Sequence, residues 1–258
     1  TVRASYLRQI ESVERAGSQS IVMASRALCA AATSSDDYER LYDELIASTS
    51  KPPILHWLGS MFDPKLAGYW GSDHFETASR TVLSIIRRNA SRIEGIKISL
   101  LDADKERLLR SALPEGVKLF CGDDFNYPEL IEGDEDHHSH ALLGVFDPLA
   151  PVASAALSEL ARGDRRRFRA MLDPTVDFAR HVFCAPTRFY KTGVVLFAFL
   201  DGRQQHFLML GGMQTARSVM HCVELFALAN EASLFADPDK ALVRFRALVD
   251  GWGLSVDG

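Results

Sequence analysis

The sequence is poor in cysteine, has no long apolar run, and carries no excess of one charge large enough to name a partner. Its 258 residues hold four cysteines, Cys29, Cys121, Cys184 and Cys222, none of them in a Cys-x-x-Cys pair. That excludes the common zinc knuckles and dithiol redox motifs, and scattered thiols in apolar stretches read as reduced side chains of a cytoplasmic protein. The net charge is -5, from 29 Lys+Arg against 34 Asp+Glu. No basic footprint for nucleic acid results, and no polybasic patch for a membrane surface. No apolar stretch approaches the roughly 20 residues of a bilayer-spanning helix. The opening Thr1-Val2-Arg3-Ala4-Ser5 lacks the charged-then-apolar layout of a signal peptide. Repeats and low-complexity tracts are missing, and Gly211-Gly212 lacks the rest of a phosphate-binding fingerprint. A starting Met is missing too. Tyr6, Ile10 and Val13 already mark a helical face, so the chain is expected to be a piece of a longer one.

What is present is an ordinary globular composition, 47% hydrophobic and 24% charged. After the first helix, closed by Ala16-Gly17, strands alternate with helices five times. The expected strands are 20–25, Ile54 to Leu58, Ile93 to Ser99, Val117 to Cys121, and Ala141 to Phe146. The first reads as buried. The expected helices between them are Asp36 to Ser48, Glu76 to Asn89, Asp102 to Ser111 and Tyr127 to Glu132. Strictly alternating β and α elements argue for parallel strands with right-handed crossovers, in a barrel or in a doubly wound sheet. From Pro151 onward the pattern is helical. Residues 1–150 are therefore expected to form one body of five βα units, and 151–258 a helical segment.

In parallel α/β folds the reacting groups gather at the C-terminal ends of strands. That selects Arg26, His56, Lys97, Ser99, Gly122 to Asp124, and Asp147. Lys97 lies between Ile96 and Ile98, and side chains alternate along a strand. If the isoleucines face helices, Lys97 faces inward with Gly95 and Ser99. Burial would then lower its pKa and leave a neutral amine able to attack a ketone and form an imine. The alternative is a lysine that snorkels to water at a strand end. Gly122-Asp123-Asp124 also has two readings: a cap for the next helix, or acids aimed at substrate hydroxyls. His137, His138 and His140, beside Asp134 to Asp136, suggest metal, but they enter a strand instead of leaving one, which makes a solvated acidic loop the simpler reading. Arg165-Arg166-Arg167 reads as an exposed helix face. Lys191, after Phe189-Tyr190, could contact a site or pair at the surface.

Ile93-Glu94-Gly95-Ile96-Lys97 resembles the lysine strand of the dihydrodipicolinate synthase and N-acetylneuraminate lyase superfamily. Gly122-Asp123-Asp124 is similar to its Ser-Gly-Asp-Asp segment, and Ala161-Arg162-Gly163-Asp164 to its Ala-x-Gly-Asp turn. Met61-Phe62-Asp63-Pro64, Gly68-Tyr69-Trp70-Gly71-Ser72 and Tyr190-Lys191-Thr192-Gly193 resemble stretches of a dihydrodipicolinate synthase-like subgroup. The resemblance spans nearly the whole chain. It implies a (β/α)8 TIM barrel, of which this chain would hold strands 4–8, followed by a C-terminal helical extension. The superfamily's carboxylate-binding loop would then lie ahead of Thr1.

The implied activity is that of a class I, Schiff-base aldolase or lyase acting on a 2-oxo acid or related ketone, a small-molecule substrate, in a homo-oligomer without cofactor or metal. Lys97 would form the imine. The superfamily's tyrosine is replaced here by Ser25-Arg26-Ala27-Leu28, and its Tyr-Asn by His56-Trp57. Arg26 would hold a carboxylate, and His56, with a pKa near neutrality, would move protons. Ser99, Gly122, Asp123, Asp124 and Asp147 would line the substrate. The rival reading is a non-catalytic small-molecule-binding or regulatory barrel. Another kind of barrel enzyme, an isomerase or metal-assisted hydrolase, is the third.

Overall fold

The computed structural model describes residues 1–254. They fold as two compact units, one spanning Thr1–Leu143 and the other starting at Gly144.

The first unit is an α/β layer built on a parallel sheet. Its strands are β1 (Ile21–Met23), β2 (Ile54–Leu58), β3 (Gly95–Ser99), β4 (Lys118–Cys121) and β5 (His140–Ala141), in that spatial order. Helix α1 (Val2–Arg15) precedes β1, and helices α2 (Arg26–Ala31), α3 (Ser35–Ser48), α4 (Phe75–Arg88), α5 (Ala103–Ser111) and α6 (Tyr127–Glu132) connect the strands. Sequential strands as neighbours, joined by helices, are the outcome expected of right-handed crossovers.

Two expected strands differ from those observed. The run expected as strand from Ala141 to Phe146 pairs only through His140 and Ala141, and Phe146 already begins a helix. A short apolar run looks the same whether strand or buried helix claims it. The first strand is expected to be buried, yet Ile21 and Met23 are 44% and 47% exposed and only Val22 is covered. β1 is the end strand of the sheet, so a neighbour lies on one side only.

One face of the sheet is covered by helices. Val22, Leu55, Trp57, Ile96, Ile98 and Leu119 join Tyr42, Leu45, Ile46, Val82, Ile85 and Ile86 in a single apolar core. Fully burying each such side chain contributes about 1.5–3 kcal/mol. Alternation then dictates that Gly95, Lys97 and Ser99 occupy the opposite face. The sheet is close-packed at Gly95: a Cβ there would overlap the Lys118 carbonyl, lie 2.8 Å from the Lys118 carbonyl carbon, and lie 3.0 Å from Phe120 Cε2.

The second unit is helical: α7 (Phe146–Ala161), α8 (Arg165–Leu172), α9 (Val176–Val182), α10 (Tyr190–Leu200), α11 (Val219–Glu231) and α12 (Pro238–Gly251). Phe168, Phe178, Phe183 and Phe197 are fully buried in it. No helix among the described residues is long and apolar enough to cross a membrane.

Candidate active site

Strand register places Met23, His56, Lys97, Phe120 and His140 in one row across the sheet. In-register residues of parallel strands share a face. Leu58 pairs with Ser99 one level nearer the C-terminal ends. Lys97 is thus set on the face away from the helical core by the burial of Ile96 and Ile98 on either side.

Lys97 is mostly buried. Burial lowers its pKa from the usual lysine value, and the negative charge of Asp124 and the neighbouring Cys121 partly oppose that shift. Beside it, His56 Nε2 and Ser99 Oγ are hydrogen-bonded at 3.0 Å. His56 is 6% exposed. Burial first, and the Lys97 charge second, push its pKa down to about 3. The near-neutral titration expected from the sequence is therefore replaced by an imidazole that stays neutral throughout the physiological range, because desolvation opposes the imidazolium.

This depression has a measurable consequence. An unfolded histidine takes up a proton near pH 6.5, whereas folded His56 does so only near 3. Between those values the unfolded chain binds the extra proton, so stability should be lost as pH falls from 6.5 toward 3. His56→Gln, which cannot titrate, is expected to flatten that part of the urea-midpoint profile; an unchanged slope would contradict the burial assigned to His56.

The loop after β4 delivers the acids. At Gly122 a side chain would overlap Ser99 Oγ and the Ile98 carbonyl oxygen and lie 2.9 Å from the Ile98 carbonyl carbon. Only glycine lets this turn lie directly against the end of β3. Asp123 is spent on the loop itself. Its Oδ1 accepts from the Phe125 and Asn126 amides at 2.8 and 3.0 Å, and its Oδ2 from Asn126 Nδ2 at 3.0 Å. Asp124, 2% exposed, is the acid whose charge reaches Lys97.

Arg26 opens α2, capped by the Ser25 side chain, and its guanidinium pairs with Asp63. With 65% of its side chain exposed, this is a surface ion pair of about 0–1 kcal/mol. Asp147 lies in the first turn of α7, in the second unit. Tyr6, Tyr42 and Tyr69 form a network near the end of β1. The Tyr6 hydroxyl donates to the Met23 carbonyl at 2.6 Å, Tyr42 and Tyr69 share a hydrogen bond of 2.9 Å, and the Ser25 amide donates to Tyr69 Oη. Burial raises the pKa of all three, which keeps these phenols protonated.

His140 stands in the Lys97 row through its pairing with Phe120, with the His138 ring 4.9 Å away; burial first, then His138 and Lys118, lower its pKa, and Glu94 opposes them. No group of three or more His, Cys, Asp or Glu suited to a metal ion occurs among the described residues. Sequence reasoning passed over Glu106. Its side chain is buried on the same α5 stripe as Leu109 and Arg110, and that three-and-four spacing was the available signal.

A family model described as "Protein of unknown function (DUF993)" matches residues 1–254. No curated protein matches the chain. Solved structures do. A candidate dihydrodipicolinate synthetase from Pseudomonas aeruginosa superposes with a TM-score of 0.66 at 16% identity, over 89% of this chain and 72% of its own. A dihydrodipicolinate synthase family protein from Coccidioides immitis gives 0.60 at 16%, over 89% and 69%. Dihydrodipicolinate synthase from Aquifex aeolicus gives 0.60 at 13%, over 90% and 82%. At such identities the likeness is one of fold: the chain has the α/β, parallel-sheet architecture of dihydrodipicolinate synthase-like proteins.

Proposed function

The chain belongs to the DUF993 family, and from its site geometry we propose a class I, Schiff-base aldolase or lyase that acts on a 2-oxo acid or related ketone. The observation that carries this reading is Lys97: a mostly buried amine near the C-terminal end of a parallel strand, its basicity lowered by burial, beside a hydrogen-bonded His56–Ser99 pair and the buried Asp124. The fold shared with dihydrodipicolinate synthase-like structures supports it.

In this reading the neutral Nζ of Lys97 attacks the substrate carbonyl carbon, and the carbonyl oxygen leaves as water. The product is a protonated imine, which draws electrons from the adjacent C–C or C–H bond. Asp124 stabilises the iminium charge. Ser99 Oγ, rather than a tyrosine, is the hydroxyl placed to hand a proton to or from the substrate, since the nearby tyrosines are held protonated and serve one another. His56, held neutral, orients the Ser99 hydroxyl through the 3.0 Å hydrogen bond at Nε2. Asp123 supports the loop from behind.

Sodium borohydride reduces a protonated imine to a stable amine. Pyruvate plus borohydride should therefore add mass to the peptide containing Lys97, and Ser99→Ala should slow formation of the adduct without removing it. Failure of pyruvate and of longer 2-oxo acids to label Lys97 would sink the proposal. One observation favours the rival, a small-molecule-binding protein without turnover: Arg26, the expected carboxylate clamp, is occupied by Asp63. Ligand binding that survives Lys97→Ala with no turnover by the unaltered protein would support that rival.

A further inference from the structure

Behind the Gly122–Asn126 loop lies a buried acid that the proposed chemistry does not use. Glu106, on α5, is 1% exposed, and neither carboxylate oxygen has a hydrogen-bond partner. Its polar neighbours come from three directions. Arg110 stands one turn along the same helix, Cys121 and Asp123 stand at the end of β4, and Ser139 precedes β5. Arg110 is already committed. Its guanidinium donates to the Leu130 carbonyl at 3.1 Å, to Ser139 Oγ at 3.1 Å and to Asp134 Oδ2 at 3.0 Å. A buried carboxyl that accepts no hydrogen bond is driven to its neutral form, whereas one that accepts several keeps its charge. Glu106 is the first case. Asp123 differs: burial, first, and the charge of Asp102 raise its pKa, but three donors aimed at it from the loop oppose that rise and favour its charged form.

We propose that Glu106 is a positioning residue: its buried carboxyl, held in the neutral form, lets the adjacent Asp123 stay ionised and so keeps the Gly122–Asn126 loop, with Asp124, beside Lys97. Two ionised carboxylates in this dry pocket would repel, and the cheapest relief is to move the loop. Burial, the first cause, lifts the Glu106 pKa to about 7, with Asp123 adding to the rise and Arg110, Ser139 and Cys121 opposing it. An unfolded glutamate loses its proton near 4.5, so the folded state holds an extra proton between about 4.5 and 7. Stability from this group is complete below that window and is lost as pH rises through it. The His56 slope has the opposite sign, so the two variants separate them.

The importance of the loop for Lys97 rests on the Schiff-base reading; the Glu106–Asp123 coupling does not. The experiment therefore carries two readouts. Urea midpoints are measured from pH 5 to 9 for the unaltered chain and for Glu106→Gln, which is neutral at every pH. Labelling of Lys97 by trinitrobenzenesulfonate, a general amine reagent, is followed by peptide mass over the same range. The expected result is equal midpoints at pH 5, a higher midpoint for Glu106→Gln at pH 8, and Lys97 labelled several-fold faster at pH 8 in the unaltered chain than in the variant. Asp123→Asn removes the other charge and should make the fall between about pH 4.5 and 7 shallower without removing it, since burial of Glu106 remains. Parallel midpoint profiles, or equal labelling in both proteins at pH 8, would overturn the proposal. If both shifts occur while pyruvate and borohydride leave Lys97 unmarked, the Schiff-base reading fails and the role of Glu106 stands.

Discussion

Replacing Lys97 with methionine is expected to abolish covalent capture of 2-oxo acids and, at the same time, to stabilise the fold. Methionine keeps an unbranched side chain of comparable length on the inner face of β3 but has no amine. If Lys97 is the nucleophile, borohydride trapping disappears, and any turnover falls by on the order of 10⁴–10⁶-fold, as when other enzymes lose their nucleophile. The stability gain follows from burial. Lys97 is held where its charged form is disfavoured, and Asp124 offsets this only in part. Removing a strained functional group commonly raises stability by about 0.5–2 kcal/mol. The imidazole should respond as well: the Lys97 charge is the second cause of the depressed His56 pKa, so an NMR titration of His56 should move upward in the variant. A trapped adduct that persists in Lys97→Met would transfer the chemistry to another lysine. A loss of stability without loss of the adduct would make Lys97 a packing residue.

Gly95→Ala is expected to do the greatest structural damage of any single methyl added to the sheet. Its Cβ would overlap the carbonyl of Lys118 on the adjacent strand, with the Lys118 carbonyl carbon at 2.8 Å. Backbone cannot rotate away as a side-chain tip can. β3 and β4 would have to part at the start of their ladder, one pair below Ile96↔Leu119 and two below Lys97↔Phe120. Overpacking of this kind costs about 3 kcal/mol or more when main chain is the obstacle. Gly116→Ala is the matched control: its φ of +81° carries strain, but a Cβ there meets nothing within 4 Å. It should cost only about 1–2 kcal/mol, the left-handed penalty alone. Thermal unfolding of the two variants side by side measures the difference. Equal losses would mean that the β3–β4 contact is loose, and with it the placement of Lys97.

Both effects trace back to a pattern the sequence displays openly. Alternation of Ile96, Lys97 and Ile98 defines two faces, and the burial of both isoleucines in the helical core decides which face meets the helices. β2 was legible too, and Ile54–Leu58 is found where its apolar run ends at Gly59. β5 was not legible in the same way. Ala141 to Phe146 satisfies strand and buried helix equally, and the pairing partner available at Cys121 decided that only the first residues join the sheet.

At the candidate site the residue types were legible and their duties were not. Asp123 and Asp124 are chemically identical neighbours. The loop amides claim one, and the field of the other falls on Lys97. Arg26 is a carboxylate clamp by composition, yet Asp63, 37 residues later, reaches it. His56 has an ordinary pKa by composition, and burial against Ser99 and Lys97 removes it from the neutral range.

The sequence by itself determined the alternating β and α order, and it offered an inward Lys97 and a close backbone approach at Gly122 as one of two readings each. These depend on neighbours one to four residues away, through strand alternation and helix spacing. Tertiary structure alone decided which acid serves the loop, which histidine nitrogen meets Ser99, and that Glu106 is buried without a partner. Those are questions of desolvation and of charges brought together from distant segments, and no local pattern encodes the dielectric into which a side chain will be folded.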